Sequence, residues 1–146
     1  MQSHNVLFFG KLMATKNILL VGANGYIGRR FLERNAEKYN LKSIDNLLKP
    51  GKLPDYIENK DYRDLSEKYL NDFDVCLWLA GHSSVPSSIE DPYGAYQNNY
   101  SGMVELINKF NGLLVYASSA SVYNNEAGAI CNESTQIGDP DNVYDF

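Results

Sequence analysis

Cysteine is scarce in this chain: 146 residues carry two, Cys76 and Cys131. A disulfide-stapled scaffold needs a denser, paired set, and no metal-ligand spacing is present, so no metal site is expected. Cys76 lies in an apolar run and reads as a small core residue, while Cys131 lies in a polar stretch. Together they suit a reducing, cytoplasmic setting. Basic residues are in deficit as well, 13 against 18 acidic, for a net charge of −5. A nucleic-acid surface would need a basic stripe, so no nucleic-acid partner is expected. Long apolar runs are missing too, since none approaches the roughly 18 residues that span a bilayer. The Val6-Leu7-Phe8-Phe9 patch is short and lacks the basic flank and cleavage site of a secretory signal, so no membrane partner is expected either. What is present is ordinary: 44% hydrophobic and 21% charged residues, enough for one domain with a core.

Short apolar or β-branched runs alternate with amphipathic stretches. Asn17–Val21 reads as a buried strand, Tyr26–Tyr39 as a helix with Ile27, Phe31 and Leu32 inward, and Leu41–Asp45 as a second strand. The Lys49–Pro54 stretch breaks both patterns, and Tyr56–Lys60 reads as a polar edge strand. A short helix is expected over Leu65–Leu70. Asp74–Ala80 is the clearest strand, apolar on both faces as a central parallel strand is. A helix is expected over Pro92–Phe110, with Tyr96, Tyr100, Met103, Val104 and Ile107 at helical spacing. Leu113–Ala117 follows as a fifth strand, and a last helix is expected from about Asp141. Strand–helix alternation predicts an α/β fold, a Rossmann-like doubly wound parallel sheet of about five strands in the order 3-2-1-4-5. Residues 15–146 are expected to form that domain and residues 1–14 an extension, with Met13 as an alternative start.

Chemistry concentrates first at Gly22-Ala23-Asn24-Gly25-Tyr26-Ile27-Gly28. Three glycines at this spacing are weak alone, but these follow a strand and open a helix, as a pyrophosphate loop requires. The first glycine permits the turn, the second lets backbone approach phosphate, and the third allows close helix–strand packing. Past Gly28 the second strand ends in Asp45, a carboxylate able to accept from adenosine ribose hydroxyls and to repel a 2′-phosphate. NAD is thus favoured over NADP. Asp45-Asn46 also reads as plain turn chemistry.

With those residues in place, the sequence resembles the NAD-dependent epimerase/dehydratase family of extended short-chain dehydrogenases, most closely its UDP-hexose 4-epimerase group. The likeness runs from Asn17 to Phe146. It implies that Gly22, Gly25, Tyr26, Ile27 and Gly28 bind the cofactor phosphates, and that Asp45 and Asn46 bind the ribose. Asp61-Tyr62-Arg63-Asp64 is similar to the family's Asp-hydrophobe-Arg-Asp stretch, which implies adenine contacts for Asp61 and Tyr62. Leu79, Ala80 and Gly81 match the backbone that passes under the cofactor, and Asn98 matches an asparagine near it. In Ser118-Ser119-Ala120-Ser121-Val122-Tyr123, Ser119 matches the catalytic serine and Ser121 a hydroxyl near the sugar. Each has a plainer reading: Asn98 as a helix brace, the serines as turn residues.

The family's 4,6-dehydratases carry acids directly after the catalytic hydroxyl, because eliminating water needs acid and base. Ala120 and Ser121 stand there, which disfavours dehydration. Asp139–Tyr144 resembles the approach to the family's catalytic tyrosine, so Tyr144 is the candidate base, or else an ordinary aromatic at a helix start. Its lysine partner would fall two positions beyond Phe146. The resemblance therefore implies the NAD-binding portion of a nucleotide-sugar epimerase, ending before the substrate-binding region and expected to be inactive at this length. A non-catalytic NAD-binding module and a reductase acting on another carbonyl stay open. Self-association or a partner is expected where a covering helix would be absent from the sheet.

Overall fold

The computed structural model describes residues 15–47, 51–123 and 130–139. Tyr144 and the helix expected from Asp141 lie outside the described residues, as does the N-terminal extension.

Five strands form one all-parallel sheet: β1 (Asn17–Val21), β2 (Asn40–Asp45), β3 (Glu58–Asn59), β4 (Val75–Trp78) and β5 (Leu113–Tyr116). Their order is β3-β2-β1-β4-β5, as the sequence predicts. The chain reverses direction across the sheet between β1 and β4. Such a switch point leaves a crevice beyond the carboxyl ends of the two strands.

Strand residues alternate between two cores, as the pleat dictates. Leu19, Val21, Cys76 and Trp78 face one side with Tyr62, Leu70, Leu106 and Phe110. Leu20 faces the other with Ala23, Leu32, Leu53 and Ile57. Register pairs Leu20 with Leu77 and Leu77 with Val115, so that second face runs on toward β5. There Leu113 is 62% exposed and Val115 is exposed too. Leu19 is fully buried at the centre of the first core. Leu19→Ala is expected to cost about 3 kcal/mol by lost transfer energy and residual cavity, read as a lower urea midpoint with unchanged slope.

The helices depart from expectation in instructive ways. α1 (Tyr26–Asn35) stops four residues short of Tyr39, where Asn35 turns its side-chain amide back onto Phe31 O at 2.9 Å. Leu32 faces inward as expected, joined by Gly28, whereas Ile27, expected inward too, is exposed on the first turn of α1. α2 (Glu67–Leu70) is capped by the Ser66 hydroxyl, which accepts from Tyr69 N–H. A short helix not anticipated, α3 (Val85–Glu90), follows β4 with Ser84 as its cap. The long helix comprises α4 (Pro92–Tyr96), one π turn (Gln97–Ser101) and α5 (Gly102–Lys109). Its expected apolar row mostly faces away from the sheet: Tyr96, Tyr100, Val104 and Ile107 are exposed. Ala95, Gly102 and Leu106 turn inward, since small side chains let the helix approach the sheet closely.

Candidate active site: a dinucleotide cleft at the switch point

The glycine loop is shaped by contacts that a side chain would prevent. Gly22 has φ +83°, and a Cβ there would lie 2.6 Å from Leu79 C and Ala80 N. A Cβ on Gly28 would meet the backbone of Gly22 and Ala23. The loop can therefore press against the end of β4 on one side while α1 packs on the other. Gly22 N–H and Ala23 N–H both donate to Ile44 O, at 3.1 and 3.2 Å, which locks the loop to β2. Gly25 caps α1 without a side-chain hydrogen bond, and the first turn holds no acidic residue. The positive end of this helix is left for an outside anion, as a phosphate site needs.

Asp45 closes the end of β2. Its Oδ2 accepts from Asn24 N–H at 2.8 Å, linking the carboxylate to the glycine loop. Arg29 in turn holds Asn24, with donors at 3.1 and 2.6 Å from its side-chain oxygen. Burial raises the Asp45 carboxyl above its ordinary 3.8, while the Asn24 N–H and the Arg29 charge pull it back. Next to it, Asn46 Nδ2 donates to Asp61 Oδ2 at 2.8 Å. Arg63 grips Asp61 with its side chain and its own N–H, and holds that carboxyl below the ordinary range.

These features surround a cleft of about 360 Å³ above the ends of β1, β2 and β4. Nine of the residues singled out from sequence line it: Gly22, Gly25, Asp45, Asn46, Tyr62, Leu79, Ala80, Gly81 and Asn98. Tyr26 and Ile27 lie outside the lining, exposed on the first turn of α1, and Asp61 stands behind Asn46 in the grip of Arg63. Ser119 and Ser121 follow β5 at the same carboxyl edge of the sheet. Their hydroxyls are 2.8 Å apart, and Ser121 N–H donates to Ser119 Oγ at 3.2 Å. Sequence reasoning missed Asn24, Leu47, Lys60 and Ser83, which also line the cleft. Asn24 had a signal, since it lies inside the glycine motif. Lys60 had none: its ammonium pairs with Glu58 at 2.8 Å and sits 4.6 Å from the Tyr69 ring centre, an arrangement set by tertiary packing.

Residues 18–146 match the NAD dependent epimerase/dehydratase family. The chain belongs to that family. Among curated proteins it is 29% identical over 140 residues to UDP-glucose 4-epimerase of Lactobacillus helveticus, covering 87% of this chain and 42% of that one. It is 30% identical over 145 residues to UDP-glucose 4-epimerase 2 of Arabidopsis thaliana, covering 84% and 41%. Among solved structures it superposes with a TM-score of 0.79 and 27% identity on UDP-N-acetylglucosamine 4-epimerase from Methanobrevibacter ruminantium M1 in complex with UDP-N-acetylmuramic acid, covering 91% and 47%. The chain thus spans under half the length of these family relatives. None of the described helices is long and apolar enough to cross a membrane.

Proposed function

We propose that this family member is the NAD-binding portion of a nucleotide-sugar epimerase, working by transient oxidation at the sugar C4. The observation that carries the reading is the cleft itself: Asp45, the bare N-terminus of α1 and the Gly22–Ala80 contact meet at one end of the sheet. The donor set fits a dinucleotide. Tyr26, Ile27 and Gly28 offer the backbone N–H groups and dipole of the first turn of α1 to the pyrophosphate, and Gly22 and Gly25 shape the loop that lets it approach. Asp45 accepts from the adenosine ribose hydroxyls with Asn46 beside it. Asp61 and Tyr62 stand toward the adenine, Leu79, Ala80 and Gly81 run beneath the cofactor, and Asn98 supports them.

Bound NAD would supply an acceptor, then a donor, for one hydride. The Ser119 hydroxyl hydrogen-bonds the reacting sugar oxygen, Ser121 holds a neighbouring hydroxyl, and Tyr144 removes the proton. A tyrosine has a free pKa of about 10 and needs a cationic neighbour to act near neutrality. Calorimetry with NAD and NADP tests the cofactor assignment: NAD should bind at least about tenfold more tightly, since the Asp45 charge opposes a 2′-phosphate. A preference for NADP would overturn it.

A further inference from the structure

A second set of polar side chains fixes the floor of the cleft from behind. The π turn Gln97–Ser101 interrupts the long helix. Wide turns of this kind are rare, and those that persist concentrate at functional sites. Here the turn directs two consecutive asparagines at the segment that follows β4. Asn98 Nδ2 donates to Ala80 O at 2.6 Å. Asn99 holds His82 at both backbone atoms: its Oδ1 accepts from His82 N–H at 2.6 Å, and its Nδ2 donates to His82 O at 3.2 Å. Ala80 and His82 flank Gly81, whose missing side chain leaves that backbone otherwise free to move.

Tyr62 completes the arrangement. Its hydroxyl donates to Asn98 Oδ1 and Asn98 O, each at 3.2 Å. The Asn98 amide is then held at both ends, its oxygen toward Tyr62 and its nitrogen toward Ala80. The tyrosine itself cannot shift, being only 4% exposed. Its ring meets Trp78 edge-on with centroids 4.3 Å apart, and its hydroxyl end fills the space beside Gly102 that a side chain there would occupy. Burial pushes the phenol up to about 12, so it remains a donor across the physiological range.

We propose that Tyr62 and Asn99 are positioning residues that hold the Ala80–His82 backbone in its dinucleotide-binding shape before NAD arrives. The proposal rests on the cofactor reading above and assigns Tyr62 a task beyond an adenine contact. A pre-ordered segment loses less conformational entropy when the ligand binds, and that difference appears as affinity. AMP, which reaches the Asp45 end and one phosphate, depends little on that floor.

The test compares the unaltered 146-residue chain with Tyr62→Phe, Asn99→Ala and Asn99→Asp. Phe keeps the ring packing and loses the hydroxyl; Asp keeps the acceptor for His82 N–H and loses the donor to His82 O. NAD and AMP dissociation constants are measured by calorimetry, His82 N–H exchange by NMR on the ligand-free chain, and thermal midpoints alongside. Asn99→Ala should weaken NAD about tenfold and leave AMP within about twofold. It should also speed His82 exchange at least about tenfold, with Asn99→Asp restoring slow exchange. Tyr62→Phe, which keeps the ring beside the adenine, should weaken NAD about fivefold and AMP by clearly less. A role in overall stability alone would lower the midpoint and shift both ligands together, and that pattern overturns the proposal. NAD affinity unchanged in Tyr62→Phe and Asn99→Ala overturns it as well. An unaltered chain that binds neither ligand overturns the cofactor reading and the proposal with it.

Discussion

Gly22→Ala is expected to abolish NAD binding and to destabilise the chain at the same time. The backbone at Gly22 sits at φ +83°, a region that costs an L-residue roughly 1–2 kcal/mol. The added methyl would also lie 2.6 Å from Leu79 C and Ala80 N, and backbone cannot step aside as a flexible side chain can. Relief requires β1 and β4 to part at their carboxyl ends, where the cleft opens. NAD affinity should fall by at least about 100-fold, equivalent to nearly 3 kcal/mol. The unfolding free energy should fall by an amount typical of strained special positions, about 2–4 kcal/mol, read as a lower urea midpoint. Gly51→Ala is the matched control, because nothing lies within 4 Å of a Cβ there. It should leave both quantities unchanged. Gly22→Ala with unaltered NAD affinity would remove the glycine loop from the account.

Asp45→Asn is expected to move binding and stability in opposite directions. In the ligand-free chain burial raises the Asp45 carboxyl above 3.8, so keeping it ionised at neutral pH costs folding free energy. A group with a raised folded pKa imposes that cost above its folded value, and the cost disappears as pH falls toward the unfolded value. Asparagine removes the buried charge while its side-chain oxygen can still accept from Asn24 N–H. The thermal midpoint of Asp45→Asn should therefore exceed that of the unaltered chain at pH 7, and the two should converge near pH 3.5. NAD should bind about tenfold or more weakly, because ribose hydroxyls lose a charged acceptor. NADP should be less strongly excluded. A variant that loses stability at pH 7 would show that Asp45 is a structural brace, and one that keeps full NAD preference would show that another group reads the ribose. Sites that sacrifice stability for a ligand commonly show this opposition.

The sheet was legible in the sequence because buried parallel strands leave an uninterrupted apolar run. Asn17–Val21 and the run around Trp78 could hardly be anything else. The glycine loop was legible through its position between a strand and a helix, and Asp45 through its place at the end of β2. Side-chain direction was harder. Tyr96, Tyr100, Val104 and Ile107 form a fair apolar stripe, yet the sheet takes the smaller Ala95 and Gly102. Hydrophobicity measures transfer free energy, whereas close approach of helix to sheet is decided by size. α3 escaped notice because Val85 and Pro86 open it, and both are poor helix formers. Its signal was Ser84 before a proline in the first turn, a start pattern that outweighs propensity at this position. The π turn had no readable signal. Periodicity cannot register one extra residue per turn, and the only trace was the adjacent pair Asn98-Asn99. Their partners, Tyr62, Ala80 and His82, come together only when β4 and the segment after β3 are already in place.

The cleft beyond β1 and β4 is the proposed seat of the dinucleotide. Titration of 15N-labelled chain with NAD, followed by amide chemical shifts, tests it most directly. The largest shifts are expected on Gly22, Asn24, Gly25, Asp45, Ala80 and Gly81, with the outward face of α5 silent. Shifts confined to α5 or β5, or none at saturating NAD, would contradict it.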